Sequence, residues 1–251
     1  MDFLATILEK KAEEVALLPE VEVENKTKRP SFYQTVKNAP ENVHLIGEIK
    51  RASPSKGDIR TDVDILAQAK TYEASGVTAI SVLTDEVFFK GTIDDLQAVC
   101  QVVQLPVLCK DFIIDERQLV RAKNAGASIV LLIVAALTEE RLAELYQAAK
   151  AIGLEVLVET HNQQELDVAH RIGAKIIGVN NRDLTTFEVT IATSEALAQP
   201  ANDRVYISES GFKTAEDVQR IAKDYQAVLV GETLMRAVNL AETIKELRVK
   251  R

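Results

Sequence analysis

The chain has 251 residues, 47% of them hydrophobic and 27% charged, a balance that buries a core without disulfide or metal staples. Its net charge of −8 argues against a general nucleic-acid binder, whose affinity comes from clustered Lys and Arg. No apolar run reaches the ~18 residues of a membrane span, and the acidic, amphipathic N-terminus is unlike a signal peptide. Cys100 and Cys109 fit neither a disulfide framework nor a zinc spacing, so the expectation is a cytoplasmic protein without membrane or nucleic-acid partners.

Phe3–Leu17 reads as an amphipathic helix within an extension over residues 1–40. That is too little chain for a core of its own, so the extension should pack on the rest, either covering a site or plugging the fold. From His44 onward a rhythm sets in. Short runs rich in Val, Ile and Leu occur at His44–Lys50, Thr78–Leu83, Pro106–Lys110, Ser128–Ile133, Leu154–Glu159, Lys175–Asn180, Arg204–Ser208 and Ala227–Val230. The seven steps over the 183 residues from His44 to Ala227 average about 26 each. Each run is short and β-branched, which favours strand over helix, and near-continuous apolar runs suit parallel strands buried on both faces.

Helical patterns fill the intervals at Asp64–Ser75, Asp115–Ala125, Thr138–Ile152, Asn162–Ile172 and Thr214–Lys223. Thr214-Ala-Glu-Asp217 is a capping box with Asp in place of the usual Glu. Gly76, Gly126, Gly153 and Gly173 stand where a left-handed residue stops a helix. Eight such strand-then-helix units point to a single (β/α)8 TIM barrel with an N-terminal helical extension. The alternative, a doubly wound sheet, usually carries a glycine-rich turn after its first strand, and none is present.

In a (β/α)8 barrel the chemistry sits at the C-terminal ends of the strands. Strand side chains alternate, so Glu48 and Lys50 face one way at the end of the first strand and Ile49 faces the helices. Lys110 ends the third strand, Glu159 the fifth and Asn180 the sixth, with Arg182 just beyond. One charged strand end is often only solvated; this many on one rim is a site. Buried charges must pair, and Lys110 beside Glu159 supplies a general acid and a general base without histidine. Of the histidines, His44 belongs to the bottom face as a structural residue, His170 to an exposed helix position, and His161 to a top loop. No His/Asp/Glu set has metal spacing, so neither metal nor cofactor is expected.

The last two strands lead into Glu209-Ser210-Gly211 and Gly231-Glu232-Thr233. Barrels often hold phosphate there on backbone N–H groups, and glycine lets the backbone approach the anion. Phe89 and Phe112, in top loops, suit the walls of an aromatic pocket; Leu131 and Leu184 also lie at or beyond strand ends. The residues alone therefore describe a barrel enzyme acting on a phosphorylated small molecule by Lys/Glu acid–base catalysis, with the reaction left open.

Leu45–Gly57 (LIGEIKRASPSKG) resembles the signature of the indole-3-glycerol phosphate synthase family. Cys109–Phe112 (CKDF), Val158–His161 (VETH), Ile177–Val189 (IGVNNRDLTTFEV), Ile207–Gly211 (ISESG) and Val230–Arg236 (VGETLMR) extend the resemblance along the whole chain. It implies a carboxy-lyase of tryptophan biosynthesis. The reaction would be ring closure of 1-(2-carboxyphenylamino)-1-deoxyribulose 5-phosphate to indole-3-glycerol phosphate, with loss of carbon dioxide and water. By the same resemblance Lys110 is the general acid at the substrate carbonyl and Glu159 the base in the later dehydration. Lys50 binds the substrate carboxylate, and Glu48 and Asn180 orient hydroxyls and lysines. Ser53 and Ser81 are lesser contacts. Arg182, Glu209, Ser210, Gly211, Gly231 and Glu232 complete the substrate-binding set, Gly211, Gly231 and Glu232 holding phosphate through their backbone. Phe89, Phe112, Leu131 and Leu184 sandwich the anthranilate ring. The Glu232 side chain must point away from the phosphate while its N–H binds it. Two rivals remain on sequence grounds: a Schiff-base aldolase using Lys50 or Lys110 as nucleophile, and a non-catalytic binder of an anionic metabolite. A monomer is expected.

Overall fold

A computed structural model describes residues 3–25 and 27–251; residues 1, 2 and 26 of the expected N-terminal extension lie outside the described residues. Eight parallel strands close into a barrel: β1 (His44–Ile49), β2 (Ala79–Leu83), β3 (Val107–Lys110), β4 (Ile129–Ile133), β5 (Glu155–Thr160), β6 (Ile176–Asn180), β7 (Val205–Glu209) and β8 (Ala227–Val230). Each pairs with its neighbours in sequence, and β8 returns to β1 with Ala227 opposite His44. The (β/α)8 expectation is met, and closure excludes the doubly wound alternative. Lys50 falls one residue beyond β1, whereas Glu209 is the last residue of β7.

Alternation along the strands divides the core into two shells. Outward residues such as Ile49, Val82, Cys109, Leu132 and Val158 pack against helix residues including Tyr72, Leu119, Leu142 and Leu166. Inward residues Ile46, Leu108, Leu131, Leu157, Ile176, Ile207 and Leu229 fill the barrel. Two residues further along the same inward rows stand Glu48, Lys110, Glu159 and Glu209. The barrel interior is thus apolar in its lower layers and ionisable in its top layer, and the strand period of two places the charges there.

The expected helices are present at Ile65–Ala74, Glu116–Asn124, Glu139–Ala151, Gln163–Arg171 and Ala215–Ile221, with Asp64, Asp115, Thr138, Asn162 and Thr214 as side-chain caps. Gly76, Gly126, Gly153 and Gly173 all have positive φ, as the helix-stop reading required. Helices at Glu86–Phe89, Ile93–Val102, Ala192–Ala196 and Leu240–Leu247 were not legible from the pattern.

The extension splits into two helices with different places. α1 (Phe3–Ala16) lies over the top of the barrel, where Phe3, Leu4 and Ile7 face the cavity. α2 (Phe32–Asn38) closes the bottom: Phe32 is fully buried in the inner shell. The Glu155 carboxylate, at the start of β5, fixes it by accepting from Ser31 Oγ (2.6 Å) and from the Phe32 and Tyr33 amides (2.8 and 3.1 Å). His44 is buried at the bottom between Thr78 Oγ1 (3.0 Å) and the Ala39 carbonyl (3.1 Å), as expected. His170, expected to be exposed, is half-buried with Nε2 2.8 Å from the Tyr206 hydroxyl.

Candidate active site

The strand ends and the loops beyond them enclose a cavity of about 500 Å³. Glu48, Lys50, Ser53, Phe89, Lys110, Phe112, Leu131, Glu159, Asn180, Arg182, Leu184, Glu209, Ser210, Gly211, Gly231 and Glu232 all line it. Ser81 does not: it pairs with Glu48 in the sheet, is fully buried, and its Oγ has no hydrogen-bond partner.

At the centre the Lys110 ammonium bridges two carboxylates. Its Nζ lies 2.9 Å from Glu159 Oε2 and 2.6 Å from Glu209 Oε2. Burial alone would favour a neutral amine, but Glu159, Glu209 and Glu48 outweigh it and raise the lysine pKa above its ordinary value. Burial likewise penalises the Glu159 anion, yet Lys110 and His161 hold its pKa well below the usual carboxylate range. Glu209 is shifted the other way, to about 7, by burial and by the neighbouring carboxylates Glu159 and Glu48, with Lys110 opposing. One lysine thus serves two acids that titrate far apart, the arrangement from which acid and base roles are divided.

Two glycines make the close packing possible. A Cβ on Gly178 would collide with Glu209 Oε1, and one on Gly231 with Glu48 Oε1. Beside Gly231, Glu48 Oε1 holds Lys50 Nζ at 2.6 Å.

Asn180 Oδ1 accepts from the Arg182 amide and from Ser210 Oγ, both at 3.0 Å. The Arg182 guanidinium is aimed by Ser55 Oγ (3.1 Å) and the Phe187 carbonyl (3.3 Å). Ser210 and Gly211 both adopt left-handed φ, 69° and 99°, so this turn presents successive backbone groups to the cavity; for Ser210 the conformation is a strained one of the kind found at ligand clamps. The Glu232 carboxylate engages Arg236 at 3.2 Å and Lys56 at 3.9 Å. The opposite wall is apolar: the Phe89 and Phe112 rings stand 6.0 Å apart with a 37° tilt, with Leu131 and Leu184 nearby.

Lys56, Lys213 and Arg236 also reach the cavity, and sequence reasoning missed them because helix-side and loop cations look solvated. Their closeness in sequence to Gly57, Gly211 and Glu232 was the available signal. Lys11 was missed altogether. It is 1% exposed and ties α1 to the barrel top through Glu14 (2.6 Å), Asp111 (2.9 Å) and Asp85 (3.1 Å).

The family model described as indole-3-glycerol phosphate synthase matches residues 4–247. The chain belongs to this family. Indole-3-glycerol phosphate synthase from Listeria welshimeri is 57% identical over 252 residues, covering all of both chains. The enzyme of that name from Streptococcus sanguinis is 56% identical over 99% of this chain and 98% of its own. Among solved structures, thiamine phosphate pyrophosphorylase from Pyrococcus furiosus superposes with a TM-score of 0.62, covering 82% of this chain and 93% of that one, at 14% identity; that likeness concerns the barrel fold alone. The indole-3-glycerol phosphate synthase family is one of carboxy-lyases in tryptophan biosynthesis, as the sequence resemblance implied. Among the described residues no helix is long and apolar enough to cross a membrane.

Proposed function

We propose that the cavity closes the ring of 1-(2-carboxyphenylamino)-1-deoxyribulose 5-phosphate to give indole-3-glycerol phosphate, carbon dioxide and water, in a cytoplasmic monomer. The observation that carries the reading is the Lys110 ammonium held between Glu159 and Glu209 at the junction of an apolar wall and a basic, glycine-lined end.

The phosphate goes to Arg182, Ser210 and the backbone N–H groups of Gly211, Gly231 and Glu232; Lys50 takes the aromatic carboxylate. Phe89, Phe112, Leu131 and Leu184 hold the ring against the carbonyl carbon, so that the two carbons meet without an entropic search. As the ring carbon attacks, the carbonyl oxygen gains charge, and Lys110 stabilises it and delivers a proton. Loss of carbon dioxide restores the aromatic ring. The new hydroxyl then takes a proton from the Lys50 ammonium, released from its carboxylate partner by the loss of carbon dioxide, and leaves as water while Glu159 removes a proton from the adjoining methylene, which completes the indole. Glu48 and Asn180 orient the substrate hydroxyls and the lysines. Ser53 lies close enough for a lesser contact; Ser81, buried outside the cavity, has no role in this scheme.

An ammonium shared by two carboxylates has no lone pair for a Schiff base, which weighs against an aldolase using Lys110. The test is direct, because the chain has no tryptophan and indole product fluoresces on a dark background. Incubation with the carboxyphenylamino substrate is expected to produce indole emission and equimolar carbon dioxide; neither appearing would overturn the proposal.

A further inference from the structure

Beyond the top of β5 a second ionic unit stands behind Glu159, outside the cavity wall. His161 precedes the helix Gln163–Arg171, and its side chain is 11% exposed. Glu165, in the first turn of that helix, collects the donors around it. Glu165 Oε2 accepts from the His161 amide at 2.8 Å and lies 2.9 Å from His161 Nδ1, while Oε1 accepts from Asn162 Nδ2 at 2.7 Å. Asn162 Oδ1 in turn caps the Glu165 amide at 3.0 Å. The ring is therefore fixed in one orientation.

That orientation turns Nε2 to Glu159 Oε1 at 3.3 Å, and Nε2 is buried with no hydrogen-bond partner. Both ring nitrogens therefore face carboxylates, which accept and cannot donate when ionised. A neutral imidazole would set a lone pair against one of them; the imidazolium sets positive charge against both, as an ion pair with Glu159 and a hydrogen bond to Glu165. Burial opposes the charge, but Glu159 and Glu165 outweigh it and raise the His161 pKa to about 10. The charged groups around the ring are Glu159 on β5, Glu165 on its own helix, Asp183 in the loop after β6, whose carboxyl feels the imidazolium, and Lys110 across Glu159.

We propose that His161, kept as an imidazolium by Glu165, is a positioning residue that holds Glu159 ionised through Oε1 and leaves Oε2 for the cavity. The proposal rests on the reading of Glu159 as the base. Its use follows from the chemistry: once Lys110 has given its proton to the substrate oxygen, Glu159 loses one counter-charge. His161 supplies a second that is not consumed, so Glu159 reaches the dehydration step still able to accept a proton.

The experiment compares the wild type with His161→Gln, His161→Lys, Glu165→Gln and Glu159→Gln. Activity requires ionised Glu159, and removing a neighbouring cation raises a carboxylate pKa. His161→Gln is therefore expected to move the acid limb of kcat up by about one pH unit, a roughly tenfold loss on that limb, with kcat on the plateau and KM within about twofold. His161→Lys restores the limb. By NMR, the wild-type His161 imidazole is expected to remain charged beyond pH 8, and in Glu165→Gln to titrate at lower pH. An unmoved acid limb in folded His161→Gln, or a wild-type imidazole titrating near its ordinary value, overturns the proposal. If His161→Gln does not fold, Glu165→Gln carries the same test, since it lowers the imidazole pKa without touching the ring. Full activity in Glu159→Gln would instead overturn the base role of Glu159, whatever the imidazole titration shows.

Discussion

Lys110 and Glu159 illustrate how one contact serves two opposite ends. Two carboxylates around a buried lysine keep it charged, so it enters the reaction with a proton to give; the same pairing holds Glu159 ionised and able to take one. Lys110→Met and Glu159→Gln are each expected to lower kcat ~10²-fold or more, the scale of one acid or base, with KM changed far less. A steady-state assay of indole emission measures both, and losses under tenfold in both would reject the assigned roles. Arg182, aimed by Ser55 and the Phe187 carbonyl, separates differently: Arg182→Ala should mainly raise KM, and an unchanged KM would count against phosphate contact.

At the scale of elements, what the sequence revealed depended on periodicity. The eight strands were legible because each is a short β-branched run, four helices because a polar cap and a glycine stop bracket them, and a fifth, Ala215–Ile221, by its capping box alone. The four-residue helix Glu86–Phe89 and the seven-residue α2 are too short to show a period, so the barrel's bottom closure by Phe32 went unseen. Inward-facing acids and bases were legible because strand parity and strand ends are readable in one dimension. Lys11 was not, because its partners Asp85 and Asp111 come from the ends of β2 and β3, and only closure of the barrel brings them to α1. In α1 the sequence offers a lysine among Glu and Lys residues that looks solvated. Its burial makes a prediction: Lys11→Met keeps the volume but strands Asp85 and Asp111 without their ammonium. Breaking a buried pair this way costs about 3–5 kcal/mol, although Arg121, 3.4 Å from Asp111 and 2.8 Å from Glu14, softens the loss. Thermal unfolding should show a clear drop in stability, and limited proteolysis should show faster cleavage near Leu18; an unchanged melting curve would mean that α1 is held by its apolar face alone.

Across the whole molecule, the buried ionisable groups set a pH profile of stability that the net charge of −8 does not describe. Glu159 is depressed from 4.5, so its contribution is present above that value and lost as the pH falls below it. His44, buried near the barrel bottom, is held below 6.5; its contribution is present above 6.5 and lost as the pH falls. Glu209 runs the other way: raised from 4.5 to about 7, it stabilises the fold below pH 4.5 and loses that effect as the pH climbs to 7. His161 is raised from 6.5 to about 10, so its contribution is complete below pH 6.5 and disappears as the pH rises to 10. Lys11 and Lys110, raised from 10.5, hold until the pH exceeds that value. Between pH 7 and 10, then, His161 is the shifted histidine whose titration lowers stability, and the melting temperature should decline by several degrees over that interval. The decline should resist added salt, because buried pairs are screened far less than surface charges, whereas repulsion among the exposed acids would be damped by it. His161→Gln should flatten that slope and also weaken the acid side in part, because Glu159 loses one of the two cations that depress its pKa and keeps Lys110. Parallel slopes in the two proteins at high salt would show that the alkaline loss arises elsewhere.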